Sequence, residues 1–163
     1  PPARACIPPP AYLPGACAQP FHKHLTPRLK LPGVSNITLH YHNLSVFHTK
    51  GPDFINIAVK GNTKLTPITF LEKIYEIEHE LGRVRTPGKK YEPRTIDIDI
   101  LFWDQEILHD ADLTVPHPAL EKRRFVLEPL SEIAPEFMHP ILQKTVKELL
   151  NECPDTSIVR ALS

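Results

Sequence analysis

Between Thr95 and Leu101 isoleucine alternates with aspartate, in the order Thr95-Ile96-Asp97-Ile98-Asp99-Ile100-Leu101. Side chains on a β-strand change face at every residue, so this spelling predicts a strand from Thr95 to Trp103 with its isoleucines anchored in a core. Asp97 and Asp99 then project together from the other face. Alternate residues on one face stand about 7 Å apart along the backbone, so the two carboxylates repel unless something positive lies between them. Aspartate is also disfavoured in strands, which makes two in succession on one face a feature in want of a reason. Hard oxygen ligands on a rigid strand suit magnesium held through substrate phosphates. The pair points to metal binding rather than proton transfer; the plainer alternative is an ordinary strand with a wet acidic face.

The flanking residues decide between the two. Arg83, Arg85, Lys89, Lys90 and Arg94 lie in a Gly- and Pro-containing stretch immediately before the aspartates, and forked and point cations of this kind suit a polyphosphate. Viewed alone, that stretch would pass for a solvated basic loop. His117 stands in Pro116-His117-Pro118, a rigid setting that fixes the ring, with Arg123 six residues later. A lone histidine is more often structural, but a neutral imidazole there can donate to a phosphate. His22 with His24 and His40 with His42 have alternate spacing but no third ligand cluster, so structural zinc is not expected.

From Ile37 onward, Ile37, Leu39 and Tyr41 alternate with polar residues, and Leu44 and Val46 continue toward a turn at Lys50-Gly51-Pro52. Phe54 to Val59 reads as a second strand closed by Gly61-Asn62, and the two as an antiparallel hairpin. Thr66-Pro67 supplies an N-cap and a first-turn proline, followed by Phe70, Leu71, Ile74, Ile77 and Leu81 at helical spacing until Gly82. After the acidic strand come a polar hairpin, a helix from about Arg124 to Ile133 and a last helix from about Thr145 to Asn151. This order is most of a βαββαβ layout: an α+β, ferredoxin-like antiparallel sheet with helices packed on one face, its first strand unassigned.

Residues 1–33 hold nine of the nineteen prolines and show neither periodicity, so they are expected to be extended or irregular, with the folded domain over 34–163. A chain of 163 residues has room for one hydrophobic core. Basic and acidic residues balance at 19 each, which gives no reason to expect nucleic acid or an anionic membrane as partner. Every acidic residue lies at or after Asp53, so the C-terminal body is mildly acidic and a polyphosphate site there needs local cations or metal. Three cysteines make neither a paired framework nor a metal motif, and no apolar run approaches the roughly 20 residues a bilayer span requires; a cytoplasmic protein is expected.

From about Ser45 to Leu150 the chain resembles the 6-hydroxymethyl-7,8-dihydropterin pyrophosphokinases of folate synthesis. The resemblance runs through Pro52-Asp-Phe-Ile-Asn56, Glu78 with Gly82-Arg-Val-Arg85, Pro93-Arg-Thr-Ile-Asp-Ile-Asp-Ile-Leu101, Leu113-Thr-Val-Pro-His117, Phe125-Val-Leu-Glu-Pro-Leu130 and Ile133-Ala-Pro135. It implies that Asp97 and Asp99 hold two magnesium ions on the phosphates of ATP, with Arg83, Arg85, Arg94, His117, Arg123 and Glu78 on the nucleotide side. Arg83 and Arg94 join the two aspartates as catalytic residues. Asn56 would read the polar edge of the pterin between the rings of Phe54 and Phe125, with Thr49 and Tyr91 beside it. Arg85 and Tyr91 would belong to a loop that closes over the site. The implied reaction moves a diphosphate from ATP to the pterin hydroxymethyl group and releases AMP. Its partners are these two small molecules, in a monomer or in one part of a multifunctional folate enzyme. A catalytically impaired pterin or nucleotide binder is the alternative, and a ferredoxin-like nucleic-acid module, which needs paired strand aromatics absent here, a more distant one. The family's opening Gly-Ser-Asn-Leu-Gly is replaced by Leu13-Pro-Gly-Ala-Cys-Ala18, and only Lys50-Gly51 remain where a pterin-lining loop is expected.

Overall fold

Ile57, Ala58 and Val59 are successive residues and all are buried, at 2, 1 and 1% exposure, so the strand that carries them is covered on both faces. The computed structural model describes residues 2–6, 34–44, 54–83 and 96–161. That strand, β3 (Phe54–Thr63), pairs antiparallel with β2 (Val34–Leu44) on one side and with β1 (Pro2–Cys6) on the other. β4 (Asp99–Trp103) pairs with the far side of β1, and β7 (Val159–Ala161) adds to the outer edge of β2, giving the order β4-β1-β3-β2-β7. β5 (Leu108–His109) and β6 (Thr114–Val115) form the separate polar hairpin.

Between β3 and β4 runs α1 (Pro67–Glu80), opened as its sequence requires. The Thr66 hydroxyl accepts the Thr69 N–H at 3.3 Å, and Pro67 occupies the first turn, where its missing N–H costs nothing. The helix buries Phe70, Leu71, Ile74 and Ile77 against Ile57, Val59, Ile96, Ile98, Ile100 and Trp103. Ala58 faces the opposite way and joins a second cluster with Leu101 and Phe102. That cluster is completed by Leu120 of a short 3-10 helix (Leu120–Lys122), by Val126, Leu127 and Leu130 of α2 (Arg124–Ile133), and by Val146 and Leu149 of α3 (Val146–Asn151).

The structure corrects three expectations. Helices cover both faces of the sheet instead of one, because β3 and β4 present apolar side chains both ways. The second strand does not close at Gly61-Asn62 but runs on to Thr63, since β1 pairs with it there, Ala3 opposite Gly61 and Pro2 opposite Asn62, and Val34 of β2 lies opposite Thr63. Within the 1–33 stretch, expected to be extended or irregular, Pro2–Cys6 is extended as β1, and that extension is set by two neighbouring strands and not by any local pattern. The acidic strand begins at Asp99, so Asp97 precedes the paired segment, although Ile96, Ile98 and Ile100 keep the alternate burial. A bulge follows: Ala3 to Ala5 on β1 faces Ile100 to Trp103 on β4, one residue more. The extra residue places Ile100 and Trp103 on the α1 side, and both Leu101 and Phe102 in the second cluster.

Candidate functional site

Helix α1 ends in a way that aims one side chain back along its own axis. Gly82 has φ 87°, its N–H donates to the His79 carbonyl at 3.0 Å, and the Arg83 N–H donates to the Glu78 carbonyl at 2.9 Å. These two reversed hydrogen bonds are a Schellman end, whose left-handed residue glycine adopts without strain. They bring the Arg83 side chain over Glu78, which is 1% exposed. Glu78 Oε1 accepts from Arg83 Nη1, and also from the backbone N–H of Ile98 at 2.8 Å. The same Nη1 donates to Asp97 Oδ1 at 2.6 Å. The helix end, the arginine and the acidic segment are thereby joined by charge-assisted hydrogen bonds.

In front of this chain of contacts opens a cavity of about 370 Å³. Arg83, Asp97, Asp99 and His117 line its charged part, Leu71 and Tyr75 of α1 one wall, and Ala111 to Thr114 the other. Burial, and then the charge on Asp97, push the Asp99 carboxyl up to about 6, outweighing Arg123 and Arg83, which pull it down. A carboxylate this reluctant to ionise beside another is a donor pair that a divalent cation would stabilise. Among the described residues no group of three or more acidic, histidine or cysteine side chains converges on a metal position. A cation here would therefore draw further ligands from its substrate, which is how magnesium is usually held.

His117 is fixed by its own loop. Its N–H donates to the Leu101 carbonyl at 3.0 Å, and its Nδ1 accepts the Ala119 N–H at 3.3 Å. With Nδ1 an acceptor, the proton of the neutral ring sits on Nε2. Burial first, and Arg123 second, hold its pKa below the usual imidazole value, so the ring is a neutral donor at the cavity wall.

Of the remaining residues singled out in the sequence, Arg123 immediately precedes α2, with its guanidinium carbon 6.0 Å from the centre of the Phe125 ring. Its charge is felt by both Asp99 and His117. Phe125 is half-buried and rests on the second core cluster. Asn56 is buried in β3 opposite His42, on the same face as Ala58, and Phe54 starts β3 opposite Leu44. The structure thus gathers Arg83, Asp97, Asp99 and His117 at one cavity with Glu78 behind them, and Asn56 and Phe125 do not line it. Thr49, Arg85, Tyr91 and Arg94 lie outside the described residues. Sequence reasoning missed Tyr75, Asp112 and Thr114 as cavity residues. The signals were present: Leu71 and Tyr75 are a helical i, i+4 pair, and Asp112 to Thr114 lead directly into Val115-Pro116-His117.

Residues 21–135 match the family described as 7,8-dihydro-6-hydroxymethylpterin-pyrophosphokinase. The chain is 39% identical over 107 residues to a 2-amino-4-hydroxy-6-hydroxymethyldihydropteridine pyrophosphokinase of Synechocystis sp., covering 66% of this chain and 54% of that one. It is 44% identical over 106 residues to the protein of the same name from Aquifex aeolicus, covering 65% of this chain and 64% of that one. To the folic acid synthesis protein FOL1 of Dictyostelium discoideum it is 37% identical over 122 residues, covering 75% of this chain and 18% of that one. The chain therefore spans 54 to 64% of the two pyrophosphokinases and a small part of the longer protein. A crystal structure of HPPK-DHPS in complex with substrates superimposes with a TM-score of 0.65 at 14% identity, over 93% of this chain and 43% of that one, and so shares its fold.

Proposed function

Because the chain belongs to the 7,8-dihydro-6-hydroxymethylpterin-pyrophosphokinase family, we propose that it transfers diphosphate from ATP to the hydroxymethyl group of 6-hydroxymethyl-7,8-dihydropterin in folate synthesis. The observation that carries this reading is the cavity where Arg83, Asp97, Asp99 and His117 meet. It offers an arginine, an imidazole donor and, with Asp112 on the opposite wall, three carboxylates, a combination suited to a polyphosphate that arrives with a divalent cation.

Asp97 and Asp99 are the residues that would hold magnesium, which when bound neutralises and aligns the triphosphate. Arg83, fixed between Glu78 and Asp97, presents its guanidinium at the cavity edge to phosphate oxygens. His117 donates its Nε2–H to a phosphate without adding a proton-transfer step. Arg123 adds positive charge from the start of α2. The pterin hydroxyl oxygen bonds to the β-phosphorus, the bond from that phosphorus to the α-bridging oxygen breaks, AMP leaves, and the hydroxyl proton passes to solvent. Positioning and charge neutralisation are sufficient for such a transfer, with no covalent enzyme intermediate. Asn56 and Phe125, with Phe54, Thr49 and Tyr91, are proposed for the pterin, and Arg85 and Arg94 for the phosphates.

We also read the fold as ferredoxin-like, supported by the antiparallel order β4-β1-β3-β2 and by α1 linking β3 to β4. No helix of the described residues is long and apolar enough to cross a membrane. The experiment is incubation with ATP, magnesium and the hydroxymethyl-dihydropterin. AMP forming only when all three are present supports the proposal. Pterin binding without AMP would instead mark an impaired, binding-only homologue.

A further inference from the structure

Glu78 stands behind the cavity rather than in it: it is 1% exposed, and the lining includes Arg83, Asp97 and Ile98 but not Glu78. Its place in the helix end is unusual. In a Schellman end the residue at Glu78's position and the one at Arg83's position ordinarily make an apolar contact. Here a buried carboxylate and a guanidinium replace it. A buried ion pair is a weak source of stability compared with an apolar pair of the same volume, so its presence asks for another reason. The hydrogen bonds supply one. A single oxygen, Glu78 Oε1, accepts both Arg83 Nη1 and the N–H of Ile98, the residue that separates Asp97 from Asp99. Arg83 in turn reaches Asp97 Oδ1 at 2.6 Å.

We infer that Glu78 is a positioning residue, which through one carboxylate oxygen holds the Arg83 guanidinium and the Asp97–Asp99 backbone in a fixed mutual geometry for a nucleoside triphosphate. The inference rests on the cavity being a triphosphate site, and it gives Glu78 a role different from direct contact with the nucleotide. An apolar residue could hold neither partner. Glu78→Gln keeps the shape and an oxygen for the Ile98 N–H while removing the charge that holds Arg83, so it isolates the link to Arg83.

The test is a double-mutant cycle on magnesium-ATP affinity, measured calorimetrically in the full chain with wild type, E78Q, R83Q and the double variant, with thermal midpoints alongside. E78Q is expected to weaken binding about tenfold, the lower end for residues that orient a metal or phosphate site from behind. In the R83Q background the same change is expected to alter affinity by less than about twofold, since the residue acts through Arg83. Equal losses in both backgrounds, or no loss in either, would overturn the inference, because a merely structural role adds independently of Arg83. If E78Q does not fold, Glu78→Asp, which withdraws the carboxylate from both partners by one methylene, is expected to lose clearly more affinity in the wild-type background than in the R83Q background, and equal losses in both, or none, would overturn the inference. A wild-type chain that binds no magnesium-ATP overturns the triphosphate reading itself, and this inference with it.

Discussion

Arg83 Nη1 lies 2.6 Å from Asp97 Oδ1, across 14 residues of sequence, and this contact ties the end of α1 to the acidic segment. Among the described residues Asp99 makes no such ion pair, and burial, followed by the charge on Asp97, pushes its pKa up. The two aspartates should therefore respond differently. Asp99→Asn removes a repulsive charge and is expected to keep or raise stability, while Asp97→Asn releases Arg83 and is expected to lower it by about 1 to 3 kcal/mol. Both should abolish diphosphate transfer and leave pterin binding largely intact. Urea midpoints, AMP assays and pterin titrations on the two variants check the contrast.

The pH dependence has a defined sign. The folded pKa of Asp99, about 6, lies above its ordinary 3.8, so its contribution to stability is fully present below the lower value and is lost as pH rises through the upper one. The loss amounts to at most about 3 kcal/mol. His117 and His139 run the other way, since burial lowers both pKa values and their contributions fade as pH falls. Comparison with Asp99→Asn isolates the carboxyl: between pH 5 and pH 7 the variant should gain stability relative to wild type. Saturating magnesium-ATP should shrink that gain by favouring ionised Asp99. Thermal midpoints across this range, with and without magnesium-ATP, are the measurement.

Gly82 holds φ 87° with open space where a Cβ would project. The cost of Gly82→Ala is thus one of backbone conformation alone, about 1 kcal/mol. Transfer should fall by more than that stability loss explains, because the turn aims Arg83. A denaturation curve and an AMP rate on the same sample separate the two effects.

Thr145 caps α3 in a reciprocal box with Glu148, whose own carboxyl is held below its usual pKa by the Thr145 backbone N–H and hydroxyl. Thr145→Ala should cost about 1 kcal/mol by denaturant unfolding. Its AMP rate should match wild type under conditions where both are folded, since α3 packs against the face of the sheet away from α1.

What could be read from the sequence follows how local each determinant is. The bounds of α1 were legible because Thr66, Pro67 and Gly82 are its own punctuation, and α2 matched its expected Arg124 to Ile133. The alternation of Ile96, Ile98 and Ile100 announced their burial even though the paired strand starts later. β1 was not legible, since both its partners lie more than fifty residues away and its own sequence has no strand pattern. Nor was β7, three residues whose extension follows from the edge of β2. Of the charged residues at the cavity, Arg83, Asp97 and Asp99 were recognisable by type and spacing, while Asp112 was not. The bond from Glu78 to the Ile98 N–H was not, because it depends on where a helix end meets a backbone 20 residues on.

Transfer of a diphosphate, as distinct from a single phosphate or simple hydrolysis, is settled most directly by following the label of ATP carrying a marked β-phosphate in the presence of magnesium and the hydroxymethyl-dihydropterin. The label is expected to move to the pterin in step with AMP release, and Asp97→Asn and Asp99→Asn to stop both. Release of ADP, or of labelled phosphate with the pterin unmodified, would contradict it.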